Sequence, residues 1–372
     1  MMNFLKKLLP WCGLILLIWS CSGQHDSAND LSPAPLIRSV STDYGGKLVH
    51  GMQVVLEGDN FNPNPSKNRV VYGSGLGATE YEVLEASENR IVFDAPYVED
   101  ESVFIHVLSG GRESNMFTVK YDMVKSDSVF LLKDARTKKL RDGVVWTSIY
   151  KVWKGEYRSI NLVSIDLSEK NRLAFAFPKP NELTSVQCLN KGALLGVNGS
   201  YFNHTHIKID GEVVQQGEDQ GHNSFMHDGV FTLDDNMPGI AYVGSNLRAS
   251  KLTNQNVMTC GPLLILNDQY RTMIDNSHNT TTHPRTGVGI TEDGRVLLVT
   301  VDGRFPGKAV GMPNDMFAHL LDAFGSEHAL NLDGGGSTTM WIEGEGIVNH
   351  PCDELNWDNP VERKVQSIIY LK

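Results

Sequence analysis

The chain is expected to fold as two β-rich domains of different class, an all-β sandwich over residues 36–122 and an α+β domain with a mixed, largely antiparallel sheet over residues 123–372. Three patterns predict this division. From Leu36 to about Tyr121, short β-type runs alternate with Gly, Pro, Asn and Asp at the spacing of an antiparallel sandwich. Beyond Met123 the β-type runs lengthen, and one clear helical period appears: Phe317, Leu320, Leu321 and Phe324 share a face of Asp315–Phe324. Strands and helices mix there without the regular βαβ rhythm of a parallel sheet.

Taken in order, residues 1–21 place Lys6 and Lys7 before the apolar run Leu8–Trp19, which contains Pro10 and Gly13 and closes in Ile18-Trp19-Ser20-Cys21. The run is too short to span a bilayer and reads as an export signal. It resembles a bacterial lipoprotein signal. That resemblance implies a lipidated Cys21, a membrane partner reached through the lipid, and a cell-envelope location on the periplasmic face or cell surface, with ordinary signal cleavage as the alternative. Residues 22–35 are polar and proline-bearing, a tether.

Strands of the sandwich are expected at Gln53–Leu56, Arg69–Tyr72, Arg90–Phe93, Ser102–Leu108 and Met116–Val119. At Pro35-Leu-Ile, Val54–Phe61 with its Gly-x-Asn-Phe element, Ala95-Pro96 and Asn115–Tyr121, the segment resembles an IPT/TIG immunoglobulin-like domain. No catalytic residue types gather in it, so it is read as a spacer or orienting module, with a carbohydrate- or protein-binding role as the alternative. In the second domain, strands are expected at Ala193–Val197, Gly229–Leu233, Leu263–Leu266, Thr286–Ile290, Val296–Val301, Ala329–Leu332 and Val365–Leu371, with a helix opening near Asn314.

A formal charge of −11, or −13 once Lys6 and Lys7 leave with the signal, excludes nucleic acid as a partner. Of five cysteines, Cys12 lies in the signal and Cys21 is the acylation site, which leaves Cys188, Cys260 and Cys352 and at most one disulfide. Oligomeric state has no signature in the sequence.

The most informative stretch is Ala329–Met340, where an apolar strand delivers Asp333 into Gly334, Gly335, Gly336 and Ser337. Three glycines there would forfeit packing and backbone entropy unless the chain needs positive φ or a close approach. A carboxylate beside several donors suits an anionic, hydroxyl-rich ligand. Four further turns join Gly or Pro to polar residues at strand ends: Gly196–Phe202, Cys260-Gly-Pro262, His283-Pro-Arg-Thr286 and Val301-Asp-Gly-Arg304.

In this order the five blocks resemble the phosphodiester glycosidase family, whose pattern is matched by Asn198, Gly199, Phe202, Gly261, Pro262, Arg285, Thr286, Asp302, Gly303, Arg304, Asp333, Gly334, Gly335, Gly336 and Ser337. The resemblance is clearest over residues 191–372. It departs where a Glu is usual in the helix and this chain has Met316, a task that would be lost or pass to Asp315. The family implies cleavage of a sugar C1–phosphate bond, with a carbohydrate or sugar-phosphodiester substrate and no cofactor.

On that basis Arg285 and Arg304 are expected to bind the phosphodiester, because guanidinium matches phosphate oxygens bidentately. The amides of Gly334–Gly336 would add donors. Asp333 would stabilise an oxocarbenium-like transition state or act as base or nucleophile, with Asp302 as second carboxylate, unless Asp302 merely supports its turn. Asn198, Tyr201, Phe202, Thr286 and Ser337 complete the expected substrate contacts, Asn198 toward sugar hydroxyls or an acetamido group. His204, His206, His222, His227 and Asp228 fit no standard zinc spacing, and no metal site is expected. A non-catalytic glycan-binding or exopolysaccharide-assembly role is the reading from another class.

Overall fold

The computed structural model describes residues 33–203, 205–217, 228–243 and 251–372. The signal, Cys21 and most of the tether lie outside the described residues, as do His204, His222 and His227. Among the described residues no helix is long and apolar enough to cross a membrane.

The first domain is two facing antiparallel sheets. Leu36–Thr42, Gln53–Asp59, Arg90–Asp94 and Glu85–Ala86 form one; Asn68–Tyr72 and Ser102–Ser109 centre the other, flanked by Thr79–Glu82, Arg112–Glu113 and Phe117–Lys120. Alternate side chains meet between them, Ile37, Val54, Leu56, Ile91 and Phe93 from one sheet and Val70, Tyr72, Ile105, Val107 and Val119 from the other. Each expected strand is present, and Leu36–Thr42 adds an edge that its polar alternation concealed.

Asp122 ends the sandwich and caps the helix Met123–Leu132, accepting from the Lys125 N–H at 3.0 Å. The helix packs on Asn314–Ala323, the helix anticipated from its apolar period. Both cover one face of an eight-stranded sheet, which runs Arg136–Arg141, Val144–Trp153, Glu156–Ile165, Val296–Val301, Arg285–Thr291, Ser326–Asn331, Leu263–Leu266 and Gln269–Tyr270. Ile149, Ile160, Leu297, Val299 and Val301 meet Leu131, Phe317, Leu320 and Leu321 on that face. The opposite face, with Trp146, Val163, Val288, Leu298 and Leu330, closes a second core against two five-stranded sheets through Val197, Ile369, Phe231 and Met258. Burial on both faces explains why Val296–Val301 reads as an apolar run broken only by Thr300.

Two expectations are corrected. Among the described residues the sheets are not mixed: every strand pair is antiparallel, and parallel pairing occurs only as isolated bridges at Leu48–Tyr121 and Cys352–Val361. The helix Asn314–Ala323 does carry the chain between two like-directed strands, but Arg285–Thr291 sits between them and restores antiparallel neighbours. Nor is Val365–Leu371 one strand. Lys364–Val365 pairs with Glu182–Leu183, and Ile368–Leu371 joins another sheet. At the break, Gln366 Nε2 donates to Tyr201 O (2.5 Å) and Ser367 O accepts from Gly199 N (2.8 Å). Cys188, Cys260 and Cys352 are buried free thiols.

Candidate functional site

Register brings the motifs together. Arg285 opposes Val301 and Gly287 opposes Asn331, so the start of one central strand and the ends of its two neighbours lie at the same edge of the large sheet. The loops holding Asp302–Arg304 and Asp333–Ser337 leave from that edge. Across from it, Leu195–Asn198 supplies the tie: Asn198 Nδ2 donates to Asp333 O (2.6 Å) and Asp333 N donates to Gly199 O (3.0 Å).

A cavity of about 260 Å³ opens here, lined by Tyr201, His278, His283, Pro284, Arg285, Arg304, Asp333, Gly334–Gly336 and Arg363. The glycine run is explained by closeness. A Cβ on Gly334 would lie 2.6 Å from Pro284 O, and one on Gly335, at φ +59°, would lie 2.9 Å from Arg304 Nη2.

Arg285 is 1% exposed, and backbone carbonyls hold its guanidinium: Nε donates to Met312 O (2.9 Å), and Nη2 to His278 O (2.9 Å) and Thr281 O (3.1 Å). Burial lowers its pKa to about 10, so it remains a cation at neutral pH. Arg304 is exposed, takes positive φ, and turns Nη1 toward Cys352 Sγ at 3.9 Å. Among the described residues neither arginine is in an ion pair, whereas Arg363 is paired with Asp353 at 2.6 Å. Burial pushes the Asp333 pKa up to about 6, against the opposing pull of the Ser337 hydroxyl, the Gly334 N–H and the Arg363 charge. Burial, then the charges of Arg285 and His283, lower His278 to about 4, so its ring is neutral near pH 7. Tyr201 Oη faces His278 Nε2 (3.0 Å), donates to Gly261 O (2.8 Å) and accepts from Asn331 Nδ2 (2.8 Å).

Several expected contacts are placed elsewhere. Asp302 does not line the cavity. It is 1% exposed and accepts from Ser159 Oγ (2.5 Å), Asn349 Nδ2 (3.0 Å) and His350 N (2.8 Å), with His350 Nδ1 at 3.2 Å. Asn198 is fully buried, its Oδ1 accepting from Thr286 Oγ1 (2.7 Å) and Thr339 N (3.1 Å). Asn198 and Thr286 therefore set the Asp333 loop from beneath rather than reaching into the cavity. Phe202 packs with Trp341 and Tyr370 in a separate core, and Ser337 is buried in the turn below Asp333.

The glycine amides are also partly engaged. Gly335 N donates to Pro284 O (3.0 Å) and the Gly334 N–H serves the Asp333 carboxylate. Asp315 is exposed and accepts from its neighbour Met316 N (2.7 Å), with its charge acting on Arg285, while Met316 packs on the core. His206 Nδ1 accepts from Gly217 N (3.1 Å) and Asp228 Oδ1 from Leu263 N (2.8 Å), each in a backbone-supporting role.

Sequence reasoning missed His278 and Arg363. His278 sits five residues before His283 in a polar run whose signal was visible only as composition, and Arg363 lies in a C-terminal loop with no motif around it.

Residues 191–372 match the family model described as phosphodiester glycosidase. Among solved structures, the zebrafish N-acetylglucosamine-1-phosphodiester alpha-N-acetylglucosaminidase catalytic domain, auto-inhibited by its pro-peptide, is similar at 19% identity and TM-score 0.48, over 64% of this chain and 83% of that one. A hypothetical protein from Synechocystis is similar at 14% identity and TM-score 0.45, over 91% of this chain and 80% of its own. A putative exported protein from Burkholderia pseudomallei follows at 13% identity and TM-score 0.40, over 91% and 98%. No curated protein matches.

Proposed function

We propose that residues 191–372 hydrolyse glycosyl-1-phosphodiesters, such as alpha-N-acetylglucosaminyl phosphodiesters of glycans or polysaccharides. One observation carries this reading: a single carboxylate, the half-buried Asp333, shares a small cavity with Arg285 and Arg304, neither of which makes an ion pair among the described residues. Cations held without a counter-charge suit an anion that arrives with the substrate.

The chemistry follows from the charges. A departing phosphomonoester has a second pKa near 6, far below that of a sugar alkoxide, so its exit needs charge neutralisation more than a proton. Arg285, preorganised by three carbonyls, and the exposed Arg304 supply that neutralisation. Asp333 faces the sugar carbon, where positive charge develops, and acts there as stabiliser or nucleophile in its ionised form. Asp302 acts through others: it holds His350 and the loop that carries Arg304.

The test is direct. Incubating the purified chain with a panel of sugar-1-phosphodiesters should release free sugar and a phosphomonoester, and an inactive panel would defeat the reading. The leader motif further supports an envelope location through a lipid on Cys21. Wild type should then fractionate with membranes and Cys21→Ser should not; a soluble wild type would end that assignment.

A further inference from the structure

Arg285 is gripped from two sides. His278 O and Thr281 O accept from its Nη2 on one side, and Met312 O accepts from its Nε on the other. The first two carbonyls belong to the short helix Ser277–Thr280 and its C-cap, the third to a strap, residues 311–313, that leads into the helix Asn314–Ala323. These bonds occupy Nε and Nη2, so Nη1 is what Arg285 has left for an anion. Where Nη1 stands depends on how far apart the two sides are held.

A side-chain hydrogen bond spans them. Asn314 Nδ2, on the first residue after the strap, donates to Asn279 Oδ1 in the short helix (2.9 Å), and Asn279 Nδ2 donates on to Ile274 O (2.8 Å). Both asparagines are buried. The strap is fixed elsewhere too: Met312 N donates to His283 O (3.0 Å), and the buried Arg158 donates through Nη1 to Gly311 O and through Nε to Trp153 O (3.2 Å). Burying an amide is costly unless its polar atoms are paired, and Asn314 Oδ1 accepts no hydrogen bond among the described residues. An apolar side chain at position 314 would avoid that cost. The donor Nδ2 is therefore the part of Asn314 that the fold uses, and what it fixes is the spacing of the carbonyls on either side of Arg285. The pair lies outside every motif block, in the helix turn where Met316 breaks the family pattern.

We propose that Asn279 and Asn314 are positioning residues for the phosphodiester reaction: their bond holds His278 O and Thr281 O against Met312 O at the separation that aims Arg285 Nη1 at the phosphate. The assignment rests on the phosphodiester reading, because it acts through Arg285. A preorganised cation stabilises developing charge only where its donors already stand, so a small shift of the cradle lowers the rate without emptying the cavity.

Two variants of the full chain test it. Asn314→Ala removes the donor, and Asn314→Leu removes it while refilling the space. Each should lose roughly tenfold in kcat/KM on an alpha-N-acetylglucosaminyl methyl phosphodiester and about twofold on the nitrophenyl glycoside of the same sugar, whose leaving group needs no neutralisation. Adding Asn314→Ala to Asn279→Ala should cost nothing further, since the bond is already gone. The Tm of Asn314→Leu should stay near that of wild type, because one stranded acceptor, Asn314 Oδ1, is exchanged for another, Asn279 Oδ1. Equal losses on both substrates, or a fall in Tm with the substrate ratio unchanged, would make the pair a structural bond only and overturn the proposal while leaving the phosphodiester reading intact. A wild type that cleaves no phosphodiester would end that reading instead, and inorganic phosphate then serves as the probe in titration calorimetry. Binding by wild type that weakens about tenfold in either variant would still support the brace. Equal affinity in variant and wild type, or no binding by wild type, would overturn it.

Discussion

Around Asp127, four groups from three separate parts of the chain converge on one carboxylate; around Asp333, the cations stand across a cavity from it. Tyr97 Oη (2.5 Å), Trp153 Nε1 (2.8 Å), the His319 ring (2.7 Å) and Lys154 Nζ (3.3 Å) all reach Asp127, which is wholly buried in the helix Met123–Leu132. Burial raises its pKa, but the bonds from His319, Tyr97 and Trp153 and the Lys154 charge outweigh that, and the carboxyl ends below its ordinary range. Asp333, half-buried in the cavity wall, has fewer donors, and the balance reverses, to about 6. The first carboxylate is a finished structural knot joining the sandwich, through Tyr97, to the two helices over the large sheet. The second keeps unspent electrostatic demand, which is what a ligand or a transition state can satisfy.

If that contrast is right, the largest effect belongs to the knot. Asp127→Ala leaves Lys154 and three hydrogen-bonding groups, the buried Trp153 among them, without their shared acceptor and should cost about 3–5 kcal/mol of stability. Denaturant melts measure it. Phosphodiester turnover by the protein still folded should be nearly unchanged, and a specific loss of kcat without loss of stability would show that Asp127 is no mere anchor.

The mirror experiment is Asp333→Asn, which keeps the shape and removes a charge the fold disfavours. Turnover should fall roughly a hundredfold or more, while Tm stays level or rises. Near-normal rates would remove Asp333 from the chemistry, and a large drop in Tm would place it with Asp127 among the structural carboxylates.

How much of this contrast the sequence discloses depends on distance along the chain. Asp333 announces itself because three glycines follow it, and Arg285 and Arg304 because each sits in a short turn between apolar strands. The helix Asn314–Ala323 and the strands Leu263–Leu266 and Val296–Val301 are legible for the same local reason, a clean apolar period. Asp127 carries no such mark. Its partners are 30 residues away at Tyr97, 26 at Trp153 and 192 at His319, and only the packed fold unites them. Local motifs likewise overstate roles: Asn198, Thr286 and Asp302 belong to the same motif blocks as the cavity residues, but their polar atoms are spent inside the protein.

The two arginines sharpen the cavity side of the comparison by a smaller amount. Arg304→Lys keeps the charge and loses the planar grip, so kcat/KM on a phosphodiester should fall by about 1.5–3 kcal/mol. A nitrophenyl glycoside of the same sugar, whose leaving group needs no neutralisation, should suffer less. Arg285→Lys should lose on both substrates, because the three carbonyls that hold Arg285 would lose their donors and the cavity wall with them. Equal losses for Arg304→Lys on both substrates would remove it from phosphate binding.

The smallest effect separates the two carboxylates by pH. In the proposed role Asp333 works ionised, so activity should fall as pH drops through about 6, with kcat/KM near pH 5 roughly tenfold below its plateau. His278 cannot produce this limb, since it titrates near 4, and His283 is shifted downward too. Asp127 has the opposite linkage. Its folded pKa lies below the unfolded value, so its stabilising contribution is complete above the unfolded value and is lost only as pH falls through the depressed folded one. Asp333, with its pKa raised on folding, imposes its charge penalty as pH rises and therefore gives no reason for melting on acidification. Between about pH 6 and pH 4 the protein should accordingly be folded and idle, regaining full activity when returned to pH 7. Near-ultraviolet circular dichroism recorded beside the rate profile decides it: an acid limb that coincides with loss of tertiary signal would mean that unfolding, not protonation of Asp333, silences the site.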